Sequence, residues 1–142
     1  MNLIETYALV TGGASGIGEA TVRTIVSKGG KAAILDMDTK RGEKLCSELG
    51  SGVIFCKTDV TSETDVKSAI SNALDSFGKL NVVLNFAGIA AAVKTLGRDG
   101  PHDLDLFKKI VDVNLNGTFN VSRLAAEKIS KNEPNESGLT GV

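Results

Sequence analysis

The residues Thr11-Gly12-Gly13-Ala14-Ser15-Gly16-Ile17-Gly18 constrain the fold of this chain more than any other stretch. A short apolar run, Tyr7–Val10, precedes them, and a helical pattern begins at Ile17. A strand, a glycine-rich turn and a helix in that order form an anion site, because the first N–H groups of a helix have no acceptor within the helix and carry partial positive charge. Glycines also let a pyrophosphate approach the backbone. The spacing T-G-x-x-x-G-x-G differs from the G-x-G-x-x-G dinucleotide fingerprint, so its meaning depends on the rest of the chain.

Four short apolar runs alternate with amphipathic helical patterns along the chain. Continuous apolar runs are typical of strands buried on both faces, and their alternation with helices predicts a parallel sheet with right-handed crossovers. We therefore predict a doubly wound, three-layer α/β/α fold with strand order 3-2-1-4 and a nucleotide site between the first and fourth strands. The strand runs are Thr6–Thr11, Lys31–Leu35, Val53–Lys57 and Leu80–Asn85.

The helical patterns differ in clarity. The third is the clearest, since apolar residues recur at helical spacing from Val66 to Phe77, with Thr61 or Ser62 as a possible cap and Gly78 as its end. A long helix is expected from Leu104, capped by Asp103, with a distortion near residues 114–117 because Asn116-Gly117 favours a turn. The remaining expected elements are helices from Ile17 to Gly29-Gly30 and over Arg41–Leu49, and loops over Ala90–Pro101 and Lys131–Gly141.

Composition excludes several classes of function. The formal net charge is −1, so nothing indicates a nucleic-acid surface. No run approaches the ~18 apolar residues of a membrane span, and no signal peptide precedes the first strand. Cys46 and Cys56 lack a nearby Cys or His partner, which favours reduced thiols and predicts no metal site. Reduced thiols are typical of an intracellular protein, and we expect a cytoplasmic one unless a family resemblance indicates another compartment. We interpret residues 1–142 as the N-terminal part of a single domain, with a sheet cut short after the fourth strand and the helix that follows it.

Acidic and small residues follow the later strands. Asp36 comes eighteen residues after Gly18, where a carboxylate can accept hydrogen bonds from adenosine ribose hydroxyls and repel a 2′-phosphate, so it favours NAD over NADP; the alternative is a solvated aspartate at a strand end. Asp59-Val60 can offer a carboxylate to an adenine amino group and an apolar surface to the ring, or can simply form a turn before the third helix. Asn85-Phe86-Ala87-Gly88 faces the glycine turn, or is only a strand-to-loop junction.

Three polar residues remain to be placed. Asn114 lies on the apolar stripe of the long helix, where a buried amide needs partners; it either bonds to the loop after the fourth strand or holds an active-site water. His102 is predicted to be at the surface, and Tyr7 lies in the first strand, far from the carboxyl ends. No Ser/His/Asp, paired-carboxylate or metal-ligand constellation emerges.

Together these residues resemble the short-chain dehydrogenase/reductase family, whose hallmark turn is T-G-x-x-x-G-x-G. Phe86 departs from the family's N-N-A-G, in which a second Asn stands at that position. The resemblance covers essentially the whole chain and implies a Rossmann-type oxidoreductase that transfers hydride between a secondary alcohol and NAD. The candidate cofactor-binding residues are Gly12, Ser15, Gly16, Ile17, Gly18, Asp36, Asp59, Val60, Asn85, Phe86, Ala87 and Gly88.

The family's catalytic residues map onto this chain only in part. Its Asn, which anchors a proton-relay water, corresponds to Asn114. The Ser and the Tyr-x-x-x-Lys would lie beyond Val142, so the resemblance implies an active longer parent and an inactive cofactor-binding fragment in these residues alone. A narrower likeness, to members that act on 3-hydroxyacyl-CoA or hydroxysteroids, implies lipid metabolism, a mitochondrial location and a homotetrameric parent. It rests on Ala87–Ala90, Lys94-Thr95, Asp112–Leu115, Gly117–Val121 and Asn132–Pro134.

Two alternatives remain open at this point. The chain can be a complete, non-catalytic module that binds NAD or a partner without turnover. It can also be a Rossmann-like methyltransferase, because that class uses a glycine turn and an acidic strand end as well; the Asp59 and Asn85–Gly88 features have no role there.

Overall fold

A four-stranded parallel sheet forms the centre of the protein in a computed structural model that describes residues 2–98 and 100–142. The strand order is β3-β2-β1-β4, which confirms the predicted order. In the register of the sheet, Val10 lies opposite Ile34 on one side and Leu84 on the other. The strands are β1 (Tyr7–Thr11), β2 (Lys31–Asp36), β3 (Val53–Lys57) and β4 (Val82–Asn85).

Helices cover both faces of the sheet because alternate strand residues point to opposite sides. In β1, Ala8 and Val10 pack towards α1 and α2, whereas Leu9 packs towards α3 and α5, and all three side chains are fully buried. Each large apolar side chain buried in this way contributes about 1.5–3 kcal/mol to folding. The helices are α1 (Gly16–Ser27), α2 (Thr39–Leu49), α3 (Glu63–Phe77), α4 (Leu104–Val111) and α5 (Thr118–Ile129).

Helix α3 begins and ends where the sequence predicts. The Ser62 hydroxyl accepts a hydrogen bond from the Asp65 amide at 3.2 Å, and Gly78 ends the helix in the left-handed region at φ 73°. Helix α2 begins at Thr39, two residues before the predicted start, because the Asp38 carboxylate caps it by accepting from the Arg41 amide at 3.0 Å.

The predicted long helix is continuous but changes its winding in the middle. Between α4 and α5, Asp112–Gly117 forms a π-helical segment, which confirms the distortion expected near residues 114–117. A Cβ on Gly117 would lie 2.5 Å from Cγ2 of Val60, so only glycine lets the helix pass this close to the loop after β3. Gly117 therefore serves the close approach of the helix to Val60. The chain does not turn at Asn116-Gly117 but continues as a helix.

The connecting and terminal segments are mostly irregular. The predicted loop over residues 90–101 contains a short antiparallel hairpin of two strands with two residues each, β5 (Leu96–Gly97) and β6 (Gly100–Pro101). Asp99, in the same loop, lies outside the described residues. At the other end, the Val142 amide donates to Asn81 O at 2.9 Å and the Val83 amide donates to Val142 O at 2.8 Å. Val142 is thus paired in parallel with the outer edge of β4. Within residues 2–98 and 100–142, no helix is long and apolar enough to cross a membrane.

Candidate functional site

A cleft of about 640 Å³ opens at the carboxyl ends of β1 and β4, where the strand order reverses. Open α/β sheets bind ligands at this point. Eleven of the thirteen residues that the sequence singled out line this cleft: Gly12, Ser15, Gly16, Ile17, Gly18, Asp36, Asp59, Val60, Phe86, Ala87 and Gly88.

The glycine turn is shaped by close contacts on one side and open space on the other. Gly12 has φ 62°, and a Cβ there would lie 2.8 Å from the Ala87 nitrogen; a Cβ on Gly18 would collide with the Gly12 carbonyl oxygen. Gly16 also has a left-handed φ, 54°, but nothing lies within 4 Å of its Cβ position. The turn therefore packs against the loop after β4 and leaves the start of α1 accessible to an anion.

The side chain of Thr11 joins the turn to the facing loop. Its Oγ1 accepts hydrogen bonds from the amides of Phe86 and Ala87, both at 3.1 Å, and Thr11 is 1 % exposed. The Phe86 amide also donates to the Thr11 carbonyl oxygen at 3.2 Å, so one buried residue of β1 accepts from both amides at the start of the facing loop. This contact holds the two halves of the cleft at a fixed separation.

The Asp36 carboxylate is held in position by backbone donors at the rim of the cleft. Oδ2 accepts from the Ala14 amide at 3.1 Å, and Oδ1 accepts from the Asp38 amide at 3.0 Å. Each carboxylate oxygen has a further lone pair. The orientation of the group is therefore fixed before a ligand arrives, with acceptor capacity remaining.

Asp59 is used in part by its own turn, as its alternative interpretation predicts. Its Oδ1 accepts from the Thr61 amide at 2.9 Å and the Thr61 hydroxyl at 2.8 Å, and its own amide donates to Asp65 Oδ2 at 3.1 Å. Val60 beside it is nearly buried and lies against Gly117. This end of the cleft thus combines a carboxylate with an apolar wall.

Asn85 turns away from the cleft. Its Nδ2 donates to the Ser122 hydroxyl at 3.1 Å, and its buried Oδ1 has no hydrogen-bond partner within the described residues. Phe86, which follows it, lines the cleft and is 39 % exposed. The structure therefore places Phe86, Ala87 and Gly88 at the site and Asn85 behind it, against α5.

Asn114 is exposed, which corrects the expectation that it lies on a buried helix face. Its Oδ1 accepts from the Ile89 amide and its Nδ2 donates to the Ile89 carbonyl, both at 2.9 Å. The side chain is directed at the exposed loop after β4 rather than at the core. The predicted hydrogen bonding of the Asn114 side-chain amide to that loop is confirmed.

Six further residues line the cleft that sequence reasoning did not select. Five of them are sequence neighbours of predicted residues and could have been found by extending each motif by one position. Lys109 comes from the helix before Asn114, and only the packing of that helix across the cleft identifies it. The six are Leu35, Met37, Thr58, Ile89, Lys109 and Val113.

The remaining reactive side chains lie elsewhere. Burial raises the pKa of the Cys56 thiol, and burial likewise raises the pKa of Cys46, so neither sulfur favours the thiolate form that acts as a nucleophile. Tyr7 begins β1 at the amino end of the sheet, and His102 is partly exposed with Nδ1 2.6 Å from Asp103 O. No group of three or more metal-ligand side chains occurs in the part of the chain that the structure describes.

The fold and the cleft define a Rossmann-type α/β protein with a glycine-rich turn after β1 and a carboxylate at the end of β2. A family model described as short chain dehydrogenase matches residues 6–136, and the chain belongs to this family. That membership removes the methyltransferase alternative.

The relatives include several enzymes of one name. The chain is 45% identical over 137 residues to 3-hydroxyacyl-CoA dehydrogenase type-2 from Homo sapiens, covering 95% of this chain and 52% of that protein. It is 43% identical over 140 residues to the enzyme of that name from Drosophila melanogaster, covering 97% and 55%. A crystal structure of 3-hydroxyacyl-CoA dehydrogenase type-2 from Mycobacterium avium matches with a TM-score of 0.87 and 43% identity, covering 94% of this chain and 53% of that one. The narrower resemblance is thus confirmed, and the chain spans about half the length of these relatives.

Proposed function

We propose that this chain is the cofactor-binding part of an NAD-dependent short-chain dehydrogenase that transfers hydride between a secondary alcohol and the nicotinamide. The observation that carries the proposal is the Asp36 carboxylate, fixed by two backbone amides at the rim of the glycine-lined cleft. A fixed negative charge accepts ribose hydroxyls well and repels a 2′-phosphate. That asymmetry favours NAD over NADP.

Each part of the cleft suits one part of the dinucleotide. The open backbone of Ser15–Gly18 suits the pyrophosphate, since substitution of Gly16 would place a side chain in the space that the phosphates need. Asp36 suits the adenosine ribose, and the carboxylate and apolar wall of Asp59-Val60 suit the adenine. The small residues Ala87 and Gly88 leave room for the nicotinamide half, whose C4 carries the hydride when the cofactor is bound.

The proposal assigns turnover to the longer parent protein. Tyr7 is the only tyrosine in the sequence, lies at the amino end of β1, and is followed four residues later by Thr11 where the family motif has Lys. Asn114, tied to Ile89, is the one family catalytic position present here. We expect these 142 residues to bind NAD without oxidising an alcohol, which keeps the non-catalytic NAD-binding module as the second candidate.

The substrate and setting of the parent follow from the relatives. Their printed names support a 3-hydroxyacyl-CoA substrate. A hydroxysteroid substrate, a role in mitochondrial lipid metabolism and a tetrameric assembly rest on family resemblance alone and form part of the proposal.

Isothermal titration calorimetry of the chain with NAD and with NADP tests the cofactor assignment. We expect binding of NAD, weaker binding of NADP, and loss of NAD binding in Gly16→Val because the valine side chain occupies the phosphate approach. Gly50→Val is the matched control: Gly50 also has a positive φ, 69°, with nothing within 4 Å of its Cβ position, and it does not line the cleft. Equal NAD affinity in Gly16→Val and Gly50→Val would contradict the proposed pyrophosphate site.

A further inference from the structure

Lys109 brings an ammonium group to a cleft whose other charged lining residues are acidic. Among the described residues that line the cleft, the charged ones are Asp36, Asp59 and Lys109. Lys109 lies on α4 and is exposed, so its long side chain is free to adjust to a ligand. With Lys109 the formal charge of the lining is −1, and without it the charge is −2.

The charge of Lys109 is not cancelled by a neighbour. Within residues 2–98 and 100–142, the structure gives its Nζ no ion pair or hydrogen bond, whereas the adjacent Lys108 Nζ lies 3.1 Å from Asp105 Oδ1. The two acids of the cleft accept hydrogen bonds from their own loops, and neither is paired with Lys109 in the described residues. Lys109 is therefore available to an incoming anion.

The packing of the long helix directs Lys109 along the cleft. Gly117 contacts Val60 at the end that we assign to adenine, and Val113, four residues earlier, lines the cleft beside it. Lys109 lies a further four residues earlier and lines the same cleft. The side of the helix that faces the cleft therefore carries an apolar residue, Val113, and the ammonium group of Lys109.

We propose that Lys109 is a binding residue for the phosphates of the dinucleotide, acting through charge attraction across the cleft. This inference rests on the proposed function. The pyrophosphate carries two negative charges, which the acids of the lining repel; the helix α1 terminus offers only partial positive charge in return. A full positive charge on the opposite wall offsets that repulsion, and the low-dielectric walls of a cleft strengthen its field.

Calorimetric titration of Lys109→Gln with NAD and with uncharged adenosine, at low salt and at high salt, tests the inference. We expect the Kd for NAD to rise about two- to fivefold at low salt, the range of an exposed ion pair, and the difference to disappear at high salt because the charges are screened. Adenosine affinity stays at the wild-type value, and Lys109→Arg restores NAD affinity. Lys108→Gln, which removes the same charge from the neighbouring position, is the matched control and binds NAD as the wild type does.

Three results would overturn the inference. One is an unchanged Kd for NAD in Lys109→Gln at low salt. Another is an equal loss of adenosine affinity, which would show a packing role. The third is an equal effect of Lys108→Gln, which would show that only net charge matters. Failure of the proposed function is distinguishable, because then the wild-type chain itself would bind no NAD.

Discussion

Asp36 shows how one side chain can be prepared for a ligand by the backbone around it. Its two oxygens accept hydrogen bonds from amides of the glycine turn and of the start of α2, so the carboxylate connects the two loops at the end of the cleft that we propose for adenosine. Charge-assisted hydrogen bonds to such a group contribute about 1.5–3 kcal/mol each. The same residue therefore supports loop geometry, and we expect it to set the preference between NAD and NADP.

Replacing Asp36 by Asn removes the charge while keeping the shape of the side chain. The amide has one acceptor oxygen, so one of the two backbone amides also loses its acceptor. We expect NAD to bind about tenfold more weakly, as the loss of one charged hydrogen bond implies. The affinity for NADP should rise relative to the affinity for NAD, because the repulsion of the 2′-phosphate is removed. The measurement is the ratio of the two Kd values by calorimetry.

Asp75→Asn on the exposed face of α3 serves as the control for net charge. If the ratio of the Kd values for NAD and NADP is the same in Asp36→Asn as in Asp75→Asn, Asp36 does not contact the ribose.

At the scale of elements, local chemistry decides where helices start, while packing decides what they contact. The Ser62 cap and the Gly78 end of α3 are readable from the sequence, because each satisfies groups within a few residues of itself. The long helix is different. Its π-helical segment depends on Gly117 meeting Val60, a contact between residues far apart in the chain.

Removal of the α3 cap tests the local part of this account. Ser62→Ala deletes the hydroxyl that accepts from the Asp65 amide, so we expect the free energy of unfolding to fall by about 1 kcal/mol. Urea denaturation followed by circular dichroism measures the change. Ser71→Ala, in the exposed interior of the same helix, should leave stability nearly unchanged; an equal loss in both variants would show that the cap contributes nothing specific.

The limits of sequence reasoning are clearest on α4 and α5. Helical spacing correctly identified the apolar stripe whose buried members include Val121, Leu124 and Ala125. The opposite side also carries exposed apolar residues, Leu104, Phe107, Leu115 and Phe119, which that stripe did not reveal. The spacing of apolar residues shows which faces of a helix are apolar, but it does not show which of those faces packs against the sheet.

At the scale of the whole molecule, parallel strands gather distant motifs at one edge. Residues from the ends of all four strands reach the same cleft because every strand runs in the same direction. This is why eleven of the thirteen residues singled out in the sequence lie together in the cleft, while their binding of a cofactor stays a prediction. Asn85 and Asn114 do not line the cleft, because the direction of a side chain at a strand end or in a distorted helix depends on tertiary contacts, here with Ser122 and Ile89.

The most direct test of the central claim is an amide-resolved NMR titration of the ¹⁵N-labelled chain with NAD. We predict that the largest shifts fall on the amides of Gly12, Ser15–Gly18, Asp36, Val60 and Ala87–Gly88, because these line the cleft at the carboxyl ends of the strands. Shifts concentrated instead at the amino ends of the strands, around Tyr7 and Asn81, or no shifts at all, would contradict the account.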